Sequence, residues 1–278
     1  MSTELRTESN GEPNVVIMGL GWLGEPLAKT LHAQGYRVAG TTTSQEKAER
    51  LRLEGIKARV WDINAPLPSA WPADLVANTL VLCVPPGKVD DYADTLGRVA
   101  SLAAGAGVTR LLFTSATSVY GGLGCKTEAD AAPDSPRGER MLAAEQAVRH
   151  SGIPQVLCLR LSGLVGGSRE PGRFLAGRRF DGGEEPVNLV AQEDLLRFIP
   201  AILARHDWPD VLNVSAPHHP SRREFYTRAA LLRDLPAPLF DGGGEGKQID
   251  GSALSRWLGL EYRVTDWFAW LAARKAQG

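Results

Sequence analysis

The chain has no long apolar run, no surplus of either charge and almost no cysteine, and each shortage removes a class of protein. No apolar stretch reaches the roughly 18 residues of a membrane-crossing helix, so no membrane partner is expected. The 31 Lys and Arg residues against 32 Asp and Glu leave a net charge of −1. That is too small a field to draw nucleic acid or an anionic membrane. Residues 1–13 are polar and have no apolar h-region. They read as a disordered lead-in rather than a signal peptide. The three cysteines, Cys83, Cys125 and Cys158, are odd in number and not at metal-ligand spacing. Cys83 and Cys158 lie in apolar runs, which suits buried free thiols in a reducing, cytoplasmic setting. No metal site is expected: the adjacent pair His218-His219 cannot share a helix face, lacks a third ligand and reads as structural. There are no internal repeats and no low-complexity tract.

What remains is a 278-residue chain that is 43% hydrophobic, enough for one large α/β domain or a nucleotide domain with a smaller lobe. Short apolar runs at 15–18, 36–40, 56–61, 79–84, 110–114 and 156–160 read as strands. Stretches at 25–34, 44–53, 90–104 and 138–150 read as helices, the second capped by Ser44. This alternation predicts an α/β fold, a Rossmann-like doubly wound parallel sheet over residues 14–164. From residue 165 the elements shorten around Gly166-Gly167 and Gly182-Gly183. Residues 165–278 are therefore expected to form a smaller C-terminal substrate lobe, partly interleaved with the first domain, with helices near 193–204, 222–232 and 265–276. Trp257, Trp267, Phe268 and Trp270 read as its core. Gly242-Gly243-Gly244 reads as a flexible loop.

The sharpest motif is Gly19-Leu20-Gly21-Trp22-Leu23-Gly24, directly after the run Val15-Val16-Ile17-Met18 and opening a helix. Strand, glycine turn and helix together are the context of a dinucleotide site. The first glycine turns the chain, the second lets backbone approach a pyrophosphate, and the third lets helix and strand pack closely. In a doubly wound sheet, ligands bind at the carboxyl edge of the strands. The cofactor contacts are expected from Gly19, Gly21, Trp22, Leu23 and Gly24, from Thr41, Thr42, Thr43 and Ser44, from Asp62 and Ile63, from Val84, Pro85 and Pro86, and from Thr114, Ser115 and Leu161. An NAD enzyme usually carries an acid at the end of its second strand. Here that position reads Gly40-Thr41-Thr42-Thr43-Ser44, with Lys47 one turn on. Without an acid to repel a 2′-phosphate, NADP is favoured over NAD, although no Arg stands there to grip it.

Several segments resemble the extended short-chain dehydrogenase/reductases, the epimerase/dehydratase group. They are Thr114-Ser115-Ala116-Thr117-Ser118-Val119-Tyr120-Gly121, and Pro133-Asp134-Ser135-Pro136 followed by a helix with Ala144-Glu145. Arg160-Leu161-Ser162-Gly163-Leu164-Val165-Gly166, Pro171-Gly172-Arg173-Phe174, Val187-Asn188-Leu189-Val190, Glu193-Asp194 and Gly246-Lys247-Gln248-Ile249-Asp250-Gly251 are similar to the YeeZ-like branch of that group. The resemblance implies a nicotinamide cofactor and chemistry by a Ser or Thr, a Tyr, and a Lys four residues after the Tyr. At those positions this chain has Ala116, Arg137 and Met141. Arg does not release a proton near neutrality, and Met carries neither charge nor donor. Tyr120, Ser118 and Arg137 are the candidate replacements, with Ser115, Thr117, Lys126 and Arg173 behind them. Two functions fit: an oxidoreductase or isomerase acting on a small molecule with a non-standard acid/base, or a dinucleotide-binding sensor or subunit without hydride chemistry; a third, sugar-nucleotide binding through the smaller lobe, has no residue signature. The sequence leaves oligomeric state open.

Overall fold

The computed structural model describes residues 14–276, so the lead-in expected over residues 1–13 lies outside them. The chain divides into two compact units, Met1–Phe113 with Ala147–Val156, and Thr114–Gln146 with Leu157–Gly278. This contact division does not fall at residue 164. The end of the fifth strand and the helix after it make their buried polar contacts with later residues (Ser115 and Glu145 with Arg160), so they cluster with the chain's second half.

The first unit is a run of βα repeats. Its elements are β1 (Val15–Met18), α1 (Gly24–Ala33), β2 (Val38–Thr42), α2 (Gln45–Leu53), β3 (Lys57–Val60), β4 (Thr79–Leu82), α3 (Tyr92–Gly105) and the start of β5 (Arg110–Ala116). β1 and β4 are buried along their whole length, as expected for parallel strands covered on both faces. In α1, Leu27, Ala28 and Leu31 form the buried stripe. Burying a leucine contributes about 1.5–3 kcal/mol. One device closes three helices: Gly35, Gly55 and Gly107 adopt φ of +84°, +85° and +89°. The residue after each donates its N–H back to Leu31, Leu51 and Ala103. A left-handed glycine at this place satisfies orphan carbonyls at a helix end. At the start of α2, Ser44 accepts the Lys47 N–H at 3.2 Å, the cap that the sequence suggests.

The second unit holds the end of β5, then β6 (Gly124–Lys126), α4 (Pro136–Arg149), β7 (Gln155–Leu161), β8 (Gly163–Val165), β9 (Arg179–Asp181), β10 (Leu189–Ala191), α5 (Gln192–Leu203), β11 (Val211–Val214), α6 (Arg222–Leu231), β12 (Leu239–Asp241), β13 (Lys247–Ile249), α7 (Ser252–Leu258) and α8 (Trp267–Ala276). Three small parallel pairs, β8 with β10, β9 with β12 and β6 with β13, tie its loops together. Trp267 and Trp270 are buried core, 5.4 Å apart edge to face, as expected. Phe268 instead lies half-buried against His218, and Arg205 stacks on Trp257. Gly242 to Gly244 form a loop after β12.

The seven-stranded sheet runs β11-β7-β5-β4-β1-β2-β3. The pairings of β1 with β2 and β4, β2 with β3, β4 with β5 and β7 with β11 are parallel. This is the doubly wound sheet expected. The sequence reading did not include β11, which comes from the stretch assigned to the smaller lobe. Strand order reverses beside β1, whose neighbours are β2 and β4. That reversal is the switch point at which such sheets take ligands.

Candidate functional site

Within the first unit, the glycine turn sits at this switch point, and each glycine there answers a different need. Gly19 has φ +95°, and a Cβ on it would meet the Cys83 carbonyl oxygen at 3.0 Å. Gly24 packs helix on strand so closely that a Cβ would lie 2.1 Å from the Gly19 carbonyl oxygen. At Gly21 a Cβ would meet nothing within 4 Å. Space beside Gly21 is what a pyrophosphate approaching the backbone requires. No side chain caps α1, whose N-cap is Leu23, so its leading N–H groups are not taken up by a capping side chain. Open space, an uncapped helix start and a tight first and third glycine fit a dinucleotide phosphate.

Two other predicted residues, Thr41 and Val84, lie against this turn. The Leu20 N–H donates to the Thr41 carbonyl at 2.7 Å, and the Gly19 N–H to Thr41 Oγ1 at 3.2 Å. Val84 packs on the Gly19 side, 3.4 Å from its would-be Cβ, and accepts the Tyr92 hydroxyl at 2.7 Å. Pro86 opens a short 3-10 turn after Pro85. Of the hydroxyls proposed to greet a ribose, three are committed. Thr41 serves Gly19, Thr42 accepts the Ser44 N–H at 3.3 Å, and Ser44 caps α2. Thr43 is exposed and makes no hydrogen bond among the described residues. Asp62 closes an Asx turn, accepting the Asn64 N–H at 3.0 Å, with Ile63 buried beside it. Trp22 is half-buried.

One cluster near the turn was not anticipated. Glu25, in the first turn of α1, faces three cations: Arg50 at 2.8 Å and Lys29 and Lys47 at 3.3 Å. Burial pushes its carboxyl pKa up, but these partners outweigh that and hold it below the ordinary value.

In the second unit, a buried polar network runs beneath the end of β5. Ser115 Oγ donates to Glu145 Oε1 at 2.5 Å. Arg160 grips Glu145 through Nε at 3.0 Å and Nη2 at 2.8 Å. Its Nη1 reaches the Tyr120 hydroxyl and the Glu128 carbonyl, each at 2.9 Å. The Tyr120 hydroxyl in turn donates to Asn213 Oδ1 at 2.5 Å, and Glu128 accepts the Asn213 N–H at 2.8 Å. Glu145 and Arg160 are 2% and 4% exposed. The network takes up two of the candidate hydroxyls. Tyr120 is wholly buried, its hydroxyl already both donates and accepts, and burial raises its pKa despite Arg160. Its bonds tie the loop to Arg160 on β7 and Asn213 on β11. Ser115 likewise spends its hydroxyl on Glu145. Leu161 is buried at the end of β7, and Thr114 is half-buried.

The segments that carry the other two catalytic candidates pack together through their backbones. Gly138, next to Arg137, would put a Cβ 2.2 Å from the Ser118 carbonyl, so the first turn of α4 lies directly on the Ser118 turn. The Ser118 hydroxyl is buried without a partner among the described residues. Arg137 is exposed and unpaired among them, while Met141, one turn on, is buried. Gly121 and Gly122 are pinned to the segment before α4: the Gly121 N–H donates to Ala132 and the Gly122 N–H to Asp134, at 2.8 and 2.9 Å. Lys247, on β13, donates its ammonium to the Tyr120 carbonyl. Burial lowers its pKa, with Lys126 adding to that and Asp134 opposing it. Nothing in the sequence alone shows that a distant strand delivers Lys247 to this loop. His218 accepts the Trp267 N–H and His219 bonds the Val187 carbonyl, both structural contacts.

The sheet and the glycine turn define the class: a Rossmann-fold protein with a dinucleotide-type glycine turn after its first strand. Residues 14–108 match the NAD binding domain of 6-phosphogluconate dehydrogenase. The chain is 36% identical to Protein YeeZ of Escherichia coli K12 over 265 residues, 91% of this chain and 96% of that protein. It belongs to the YeeZ family. Its fold is that of a conserved protein of unknown function from Silicibacter pomeroyi (TM-score 0.79, 23% identity, 96% and 99% of the two chains). A UDP-glucuronic acid 4-epimerase from Bacillus cereus, in complex with NAD, shares it as well (TM-score 0.76, 17% identity, 94% and 95%). No described helix is long and apolar enough to cross a membrane.

Proposed function

We propose that the chain is an NAD(P)-dependent oxidoreductase or isomerase for a small molecule, with NADP the preferred dinucleotide. The observation that carries this is the open space at Gly21 between two glycines that the fold itself requires. Bound there, the cofactor supplies reversible hydride transfer at a carbinol or carbonyl carbon. The chain must hold and move the accompanying proton. Arg137 can bind an anion or steady a developing oxyanion, but it cannot release the proton near neutrality. Ser118 offers an unspent hydroxyl. Lys247, half-buried and shifted toward neutrality, is better matched to proton transfer than an ordinary lysine. Tyr120 and its network act as positioning groups for the loop that carries Ser118. The preference for NADP rests on the absence of an acid at the end of β2. Three cysteines free of disulfides suit a reducing, cytoplasmic setting.

The second reading, dinucleotide binding without hydride chemistry, is favoured by one observation. Met141, at the usual lysine position, is buried and offers no replacement donor. Calorimetric titration with NAD, NADH, NADP and NADPH tests what the two share; no binding by any of them sinks both. Lys247→Met separates them. In an enzyme it leaves dinucleotide affinity unchanged and abolishes exchange of the C4 hydrogen with a panel of hydroxy and oxo compounds. Absence of exchange in the wild-type chain across that panel favours the binding protein.

A further inference from the structure

The cluster around Glu25 bears on how the second dinucleotide phosphate is read. Lys47 stands in the first turn of α2, just past the exposed Thr43 and the cap Ser44. Its ammonium leans back onto the glycine turn, donating to the Leu20 carbonyl at 3.2 Å and pairing with Glu25 at 3.3 Å. Leu20 is tied to Thr41 at the end of β2. Lys47 therefore lies between the turn that takes the pyrophosphate and the strand end that takes the adenosine ribose.

Glu25 does not depend on Lys47. Arg50 binds the same carboxylate at 2.8 Å and Lys29 at 3.3 Å, and both are also braced by Glu54, at 2.9 and 2.8 Å. Arg50 and Lys29 thus close a ring with two carboxylates. Lys47 is the surplus cation, held by one shared carboxylate and one carbonyl. It can leave without stranding a buried charge, because Glu25 keeps two partners. An ammonium on a four-carbon stem is a mobile point charge suited to such a move.

We infer that Lys47 is the residue that selects NADP, swinging from Glu25 to the 2′-phosphate with the Thr43 hydroxyl beside it, and that Glu25 tunes this selectivity by competing for the same ammonium. The inference rests on the proposed dinucleotide site at Gly19–Gly24. It places the selective cation on α2 and its competitor on α1, and it needs no arginine at the end of β2. Phosphate and carboxylate compete for one donor, so weakening the carboxylate strengthens the phosphate's hold.

The test is calorimetric titration of the wild-type chain, Lys47→Met and Glu25→Gln with NADPH and NADH, repeated with adenosine 2′,5′-bisphosphate and 5′-AMP as minimal probes. Thermal unfolding of each variant confirms that it is folded. A charge-assisted hydrogen bond to phosphate corresponds to about tenfold or more in affinity. The wild type is expected to prefer NADPH and the bisphosphate by about that factor. Lys47→Met should erase the preference and leave NADH and 5′-AMP unchanged, whereas Glu25→Gln should widen it. Equal affinities in the wild type, a preference for NADH, or an equal loss of both ligands in Lys47→Met would overturn the role of Lys47. An unchanged preference in Glu25→Gln overturns the competition. If no dinucleotide binds the wild type, the proposed site itself fails, which the minimal probes show separately from a failure of selectivity.

Discussion

Replacing Gly21 and Gly24 one at a time separates the needs of the ligand from those of the fold. Gly21 is not in a left-handed conformation, and an added Cβ would meet no atom within 4 Å. Gly21→Ala should therefore leave the protein folded. Its stability should change by no more than about 0.5–1 kcal/mol, tending upward because alanine narrows the unfolded ensemble. In a chain of this size that is a shift in Tm of roughly 1–4 °C. The same methyl stands where the pyrophosphate must approach the backbone, so dinucleotide affinity should fall about tenfold or more, near 1.4 kcal/mol. Gly24→Ala is the opposite case. Its Cβ would lie 2.1 Å from the Gly19 carbonyl oxygen and 3.1 Å from Ile17 Cγ2, with backbone on one side and a buried strand on the other. Neither can retreat without parting α1 from β1, and overpacking of this kind costs about 1–3 kcal/mol, or a fall in Tm of roughly 2–12 °C. Differential scanning calorimetry and isothermal titration on both variants read the two effects. A Gly21→Ala protein that binds dinucleotide as tightly as the wild type would refute the phosphate cradle. One that unfolds as early as Gly24→Ala would show that the space beside Gly21 is not open.

Two further outcomes follow from the second unit. Glu145→Gln leaves the Arg160 guanidinium buried without its carboxylate, which should cost about 3–5 kcal/mol, whereas Glu145→Leu with Arg160→Met should recover most of it; a single variant that melts with the wild type would show the pair to be unimportant. His219 is held below the ordinary histidine value chiefly by burial, with neighbouring His218 adding to that and the Val187 carbonyl and Asp250 opposing it. The unfolded chain then binds the proton first, so stability is full above the ordinary histidine value and falls as pH drops through it toward the depressed one. A plot of Tm against pH should show that slope, and His219→Asn should flatten it; an unchanged slope would assign it to other groups.

Much of the first unit is legible in the sequence because its information is local. The apolar run 15–18 and the Ser44 cap act within a few residues of themselves, and each sits where the pattern suggests. β11 was missed because a four-residue strand beside short irregular elements has no periodic signal of its own. It becomes a strand by pairing with β7. The catalytic candidates divide for the same reason. Gly138 lets the first turn of α4 rest on the Ser118 turn, with the Ser118 hydroxyl buried and Arg137 exposed. Tyr120 turns inward, its hydroxyl accepting from buried Arg160 and donating to Asn213.

The sequence by itself determined the Rossmann fold of the first unit, since the spacing of the glycine motif and the alternation of apolar runs need no coordinates. Only the tertiary structure decided which polar groups remain free for chemistry. Hydroxyls and charges pair with whatever distant strands and helices bring near, so Thr41, Ser115 and Tyr120 are spent inside the protein. The Ser118 hydroxyl, buried without a partner, and the exposed Arg137 and Thr43 are not spent in this way among the described residues.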